Sequence, residues 1–90
     1  MNNLDNIREL ISNNNLEQAI NELNSIIENN KSCDEAYFLL GNAHSKNNNW
    51  REAINAYCKA IEINPDSPAC VAYQHIIEIM DFFNHDLYNP

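Results

Sequence analysis

Ninety residues suffice for one domain but not for two, and 44% hydrophobic against 20% charged residues is the composition of a globular chain. Thirteen Asp and Glu against five Lys and Arg give a formal net charge of −8, which disfavours binding to nucleic acid and to anionic membranes. With one Gly and three Pro, the chain has little material for β-hairpin turns, so an all-α fold is expected.

The cysteines and the N-terminus indicate the compartment. Cys33, Cys58 and Cys70 form no CxxC pair, and their odd number leaves a thiol unpaired. The first residues lack the basic and apolar regions of a secretory signal, and no apolar run approaches the ~20 residues of a membrane span. Reduced thiols in the cytoplasm are therefore expected.

The first two predicted helices form one unit. Apolar residues recur at a spacing of three or four positions in the first helix: Leu4, Ile7, Leu10 and Ile11. An asparagine run at positions 13–15 breaks this helix. The second helix is predicted from Leu16 to about Asn29, with Asn15 as its N-cap and Gln18 as the partner in a capping box.

The next two predicted helices repeat this plan. The third begins at about Asp34, where acidic residues favour the helix dipole, and a second asparagine run at positions 47–49 ends it. Asn49 is predicted to cap the fourth helix, with Glu52 completing a capping box. Pro65 stops the fourth helix, because proline cannot continue the hydrogen-bond ladder.

A fifth helix is predicted to follow. Ser67 serves as its N-cap, and Pro68 occupies the first helical position. Proline is tolerated there because the N–H of the first helical residue has no hydrogen-bond partner within the helix. The apolar pattern runs from Ala69 to about Asn84. The remaining residues to Pro90 are expected to form an irregular tail.

The two helical units are copies of one another. When the second unit is laid over the first, one asparagine run falls on the other and Ala19-Ile20-Asn21 falls on Ala53-Ile54-Asn55. About half of the positions from Asn13 to Asn30 match their counterparts, which indicates an internal repeat.

The second unit carries aromatic and small residues at fixed positions: Tyr37, Leu40, Gly41, His44, Trp50, Ala53, Tyr57, Ala60 and Pro65. This pattern resembles the tetratricopeptide repeat (TPR), in which His44 stands where the family has a tyrosine. The first unit matches less well, since Ile7 replaces the glycine and Lys31 the proline of the pattern. The ending FFNHDLYNP is similar to the tails of some small bacterial TPR proteins.

The resemblance implies a single all-α domain. Its expected architecture is a right-handed α-solenoid of two TPR helix hairpins plus a C-terminal capping helix, five helices in total. The expected divisions are a degenerate repeat over residues 1–33, a well-matched repeat over 34–67, a capping helix over 68–84 and a tail over 85–90.

TPR proteins typically bind an extended peptide or a partner helix on a concave face lined by the first helix of each hairpin. The resemblance thus implies a protein-interaction module or scaffold. The groove-facing positions carried over from the family are Glu35, Phe38, Leu39, Asn42, Ser45 and Lys46. Phe38 and Leu39 lie outside the core stripe, the set of residues of the third helix expected to face the core: Ala36, Tyr37, Leu40, Gly41, Ala43 and His44. They are therefore the expected anchors for a partner, unless the C-terminal helix covers them.

Three alternatives concern the last helix. Tyr73, Ile76 and Met80 could complete the binding groove, or they could be buried against the preceding hairpin. The same apolar face, together with Phe82 and Phe83, could instead form a homodimer that stabilises a small fold.

The sequence offers no pattern typical of an enzyme. His44, His75 and His85 are isolated from the cysteines, and neither CxxC nor HxxxH occurs. We therefore expect no catalytic activity, metal or cofactor. The expected partner is a protein or peptide.

Overall fold

The computed structural model describes the backbone of residues 3–88 and the side chains of residues 4–81. Over residues 3–88 it contains five helices and no strand, as expected for an all-α fold. The helices are α1 (Asn3–Ser12), α2 (Leu16–Asn29), α3 (Asp34–Lys46), α4 (Trp50–Ile63) and α5 (Ala69–Tyr88).

The predicted end of α5 at Asn84 is wrong, because the helix continues to Tyr88. The irregular tail predicted from residue 85 is therefore helical over residues 85–88, and residues 89–90 lie outside the described part. Neither Gly nor Pro occurs within α5, so its sequence contains no residue that interrupts the hydrogen-bond ladder.

Each hairpin turns through an asparagine in the left-handed conformation. Asn14 has a φ of 67° and Asn48 a φ of 61°. Asparagine is one of the few residues with a side chain that adopts this conformation readily. The N–H of Asn15 then donates to the carbonyl of Leu10 at 2.8 Å, and the equivalent bond of the second hairpin is 2.9 Å long.

The loops that follow the hairpins repeat as well. The N–H of Ser32 donates to Oδ1 of Asn30 at 3.2 Å, and the N–H of Asp66 donates to Oδ1 of Asn64 at 3.1 Å. These two bonds occupy equivalent positions in the two units. The internal repeat predicted from sequence identity is thus present in the hydrogen bonds of the loops.

The helix N-termini agree only partly with prediction. Asn15 and Asn49 precede α2 and α4, but neither side chain makes a capping hydrogen bond, so the two predicted capping boxes are wrong. Their ψ angles of 64° and 75° depart from the extended conformation of a capping residue. Ser67 does cap α5, since the N–H of Ala69 donates to its Oγ at 3.1 Å.

α3 lies between two apolar clusters. The first cluster joins α1, α2 and α3: Leu4, Ile7, Ile11, Leu16, Ala19, Leu23, Ala36, Leu39 and Ala43. The second joins α4 and α5: Ala53, Tyr57, Ala60, Ala69 and Ile76. Phe38 packs against both clusters, which makes α3 the central element of the fold.

Gly41 allows α3 and α4 to approach closely. A Cβ atom at Gly41 would lie 2.4 Å from Cε1 of Tyr57, far inside van der Waals contact. Ile7 and Leu23 occupy the equivalent positions of the first hairpin, and both are fully buried in the first cluster. The space between the two helices is therefore filled by two aliphatic side chains in the first hairpin and by one tyrosine ring in the second. Because the first hairpin has no ring there, Ile7 fits at the position where the family has glycine.

Candidate functional site

A groove separates α3 from α5, because both helices pack against α4 rather than closely against each other. Its volume is about 410 Å³. We call it the α3–α5 groove, and the residues that line it are Phe38, Asn42, Ser45, Tyr57, Pro68, Val71, Ala72, His75 and Ile76. Most of these side chains are apolar and none belongs to Asp, Glu, Lys or Arg, as is typical of a binding site for apolar groups.

Phe38 lies on the α3 side of the groove. Its ring is half-buried and lies 6.1 Å from the Tyr57 ring, with an angle of 41° between the ring planes. Such tilted aromatic pairs add stability beyond the apolar area that they bury. Because Phe38 lies outside the core stripe, its ring was expected to be exposed. The ring is instead half-buried, since Tyr57 of α4 covers one side of it.

Tyr57 connects the groove to its polar rim. The side chain is 2% exposed, and burial raises the pKa of Tyr57 from 10.0 to about 12. Its hydroxyl therefore stays protonated and donates to Oδ1 of Asn42. Because the amide oxygen of Asn42 is occupied in this way, its NH₂ group is left to donate to other acceptors.

The α5 side of the groove includes Ile76, which the sequence had offered as a groove residue, and Val71 and His75, which it had not. Val71 is 72% exposed, and His75, one turn later, is also exposed. Both positions lie off the stripe of α5 that packs on α4, where the hydrophobic pattern predicts polar side chains. An aliphatic residue at an otherwise polar position was the signal that could have identified Val71.

The other half of the predicted face turns towards α1. Glu35 forms an ion pair with Arg8, and Nζ of Lys46 donates to the carbonyl of Ile11 at 3.0 Å. Leu39 is only 3% exposed and belongs to the first cluster, so its predicted role as an exposed anchor is wrong. The physical reason is that α1 and α2 pack against this side of α3, which the sequence analysis had expected to face solvent.

The apolar face of α5 is largely used within the molecule. Tyr73 and Met80 are half-buried against the second cluster, and Ile76 is 3% exposed. Of the two alternatives offered by the sequence, burial against the preceding hairpin describes Tyr73, which is absent from the α3–α5 groove as far as the described residues show, whereas Ile76 lines the groove; a contact of Tyr73 with a partner stays a prediction. Ile76 is buried, but Tyr73 and Met80 each keep an exposed part, so a homodimer through this helix stays a prediction. The side chains of Phe82 and Phe83 lie outside the described part.

Comparison with known proteins assigns the family. The sequence model of the tetratricopeptide repeat family matches residues 34–67 of this chain. The solution NMR structure of the Bacteroides fragilis protein BF1650 is similar along its length: it is 42% identical, the match covers 99% of this chain and 91% of that chain, and the TM-score is 0.89.

The chain belongs to the TPR family. The repeated hydrogen bonds of the hairpin turns and the close approach at Gly41 agree with this assignment. No protein of curated function matches the sequence significantly.

TPR proteins are typically scaffolds, and the remaining polar groups of this chain include His44 and the three cysteines. His44 is half-buried, and its buried Nδ1 has no hydrogen-bond partner among the described residues. The three cysteines are free, and the thiol of Cys70 lies 3.2 Å from the carbonyl of Pro65. Within the described residues, no three His, Cys, Asp or Glu side chains are placed to hold a metal ion.

This TPR protein has a second hollow that could hold a ligand. A wider hollow of about 820 Å³ lies beside the N-terminus of α2: Asn14, Asn15, Leu16, Glu17, Gln18, Ile20, Asn21 and Asn47. Its lining is mainly polar, so a ligand would gain little from displacing water there. Across residues 3–88, no helix combines the length and the hydropathy that crossing a membrane requires.

Proposed function

We propose that this chain is a TPR protein-interaction module that binds a segment of a partner protein, a peptide or a helix, in the α3–α5 groove on its concave face. The carrying observation is Val71, which is 72% exposed at the edge of a groove lined by the half-buried Phe38 ring. An aliphatic side chain of the partner would displace water from both residues. Asn42, Ser45 and His75 line the same groove and would orient the segment by hydrogen bonds.

The residues predicted from the sequence divide into two groups under this proposal. Phe38, Asn42 and Ser45 would contact the partner directly. Glu35 and Lys46 would act on the shape of the module, because each is tied to α1 by an ion pair or a hydrogen bond. The proposed contact surface thus lies on one side of α3 only.

Membership of the family supports binding rather than catalysis. TPR domains generally mediate protein–protein contacts, and they are typically scaffolds without catalytic activity of their own. We propose the same here, in the cytoplasm, where free thiols such as those of Cys33, Cys58 and Cys70 persist.

Affinity capture from a lysate of the source cells, with quantitative mass spectrometry, tests the proposal. Three baits are compared: wild type, Val71→Asp and Ile77→Asp. Ile77 is a matched control, because it is an exposed aliphatic residue of the same helix, 39% exposed, that does not line the groove. We expect a set of proteins that wild type and Ile77→Asp capture equally and that Val71→Asp loses. Equal capture by all three baits would show that the groove is not the binding site.

A further inference from the structure

The charges around the α3–α5 groove define the chemistry of its occupant. We infer that the groove takes a basic segment, in which Lys or Arg residues flank one aliphatic anchor. This inference rests on the proposed function and adds a partner class to it.

The exposed surface of α5 beyond the groove lining is acidic. Val71, His75 and Glu78 are spaced by four and three residues, so they follow one line along the helix surface. Glu78 and Asp81 are both exposed, and neither takes part in an ion pair among the described residues. From Ala69 to Tyr88 the sequence contains no Lys or Arg. A cation bound about two turns beyond Val71, near Glu78, would therefore find carboxylates on α5 and no competing positive side chain of that helix.

An acidic residue also precedes the groove-lining part of α5 in the sequence. Asp66 is exposed and stands two residues before Pro68, which lines the groove. Its side chain makes no ion pair within the described part of the chain. Acidic residues thus precede and follow residues 68–76, the stretch that contributes to the groove, which suits a segment whose apolar residue lies between two basic ones.

The positive side chains near α3 are turned elsewhere. Arg8 pairs with Asp5 and with Glu35, on the α1 side. Nζ of Lys46 donates to the carbonyl of Ile11 on that side as well. Among the described residues no Lys or Arg lines the groove, so nothing in this lining repels a basic partner. The net charge of −8 would further attract such a segment over a distance set by salt screening.

Selection of random twelve-residue peptides displayed on phage tests the inference, with deep sequencing of the enriched pool. Four baits are used: wild type, Val71→Asp, Ile77→Asp and the charge reversal Glu78→Lys with Asp81→Lys. We expect wild type and Ile77→Asp to enrich the same peptides, with more Lys and Arg than the input pool. Val71→Asp should abolish this enrichment. The charge reversal should remove the excess of Lys and Arg and weaken the leading peptide about three- to tenfold, since exposed ion pairs are individually weak.

The outcomes separate the inference from the proposed function. Neutral or acidic peptides that depend on Val71 but not on Glu78 and Asp81 would overturn the basic partner and leave the groove in place. Absence of enrichment, or enrichment that survives Val71→Asp, would overturn both. Sedimentation of the four baits covers a different occupant: a wild-type dimer that Val71→Asp makes monomeric would mean that a second copy fills the groove, which also overturns the inference.

Discussion

Replacing Gly41 with alanine tests the packing that joins α3 to α4. An added Cβ would lie 2.4, 2.5 and 2.9 Å from three ring atoms of Tyr57. The ring cannot move away freely, because Tyr57 is 2% exposed, packs against Phe38 and donates its hydroxyl proton to Asn42. The substitution must therefore displace either a buried ring or a helix.

Two opposing terms set the magnitude. Alanine in place of glycine within a helix favours folding by about 1 kcal/mol. Overpacking a filled core by one methyl group costs about 1–3 kcal/mol, and here the clash is with a confined ring. We expect the clash to win, so that the free energy of unfolding of Gly41→Ala falls by about 1–2 kcal/mol. For a domain of this size that is roughly 4–16 °C in melting temperature.

Urea unfolding followed by circular dichroism at 222 nm measures the effect. The matched control is a second background, Tyr57→Leu, which resembles the first hairpin, where Ile7 and Leu23 occupy the equivalent positions. Because leucine removes the ring, Gly41→Ala should be far less harmful in that background, with a coupling energy of about 1 kcal/mol or more. A Gly41→Ala variant as stable as wild type, or more stable, would refute the predicted clash.

Three further predictions concern stability and ionisation. Asn48→Ala should lower the free energy of unfolding by about 1 kcal/mol, because alanine adopts the left-handed backbone, here at a φ of 61°, less readily than asparagine. Asn48→Gly should not lower it, and chemical denaturation of both variants, with Asn47→Ala as a control at φ −89°, decides. The pKa of Tyr57, about 12, lies above its ordinary 10.0, so the stability from burying the neutral hydroxyl is complete below pH 10 and lost as pH rises towards 12. Absorbance at 295 nm should then show one late tyrosine titration that Tyr57→Phe removes; four coincident titrations in wild type would contradict this. Glu35→Gln should cost no more than about 0.5 kcal/mol, since both partners of the ion pair with Arg8 are 43% exposed; a loss above about 2 kcal/mol on urea unfolding would be inconsistent with that exposure.

The repeat could be predicted because it depends on local chemistry. Spacings of three and four residues place the helices, and the paired asparagine runs place the turns, where Asn14 and Asn48 accept a left-handed backbone. Gly41 and Tyr57 form a junction that is visible in the sequence as a glycine and an aromatic residue at family positions. The end of α5 was missed, because the fading apolar pattern suggested a stop that no Gly or Pro enforces.

The binding surface could be predicted only in part, because it depends on which neighbours cover α3. Phe38 and Leu39 are adjacent and both apolar, yet Leu39 is buried against α1 and α2 while Phe38 borders the groove. A helix packed on two sides carries apolar residues around most of its circumference, so periodicity alone cannot tell a core residue from a groove residue. Val71 illustrates the same limit on α5, where an exposed aliphatic residue carries no periodic signal.

Site-specific photocrosslinking tests the central claim most directly. A photoreactive benzoylphenylalanine replaces Val71, Ile77 or the exposed Asn24 of α2, one position at a time, in an otherwise native chain. Each variant protein is then irradiated in a lysate of the source cells. We predict that the probe at position 71 forms a discrete crosslinked product with a partner protein, and that the probes at positions 77 and 24 do not. Equal products from all three positions, or a product from positions 77 and 24 alone, would contradict binding in the α3–α5 groove.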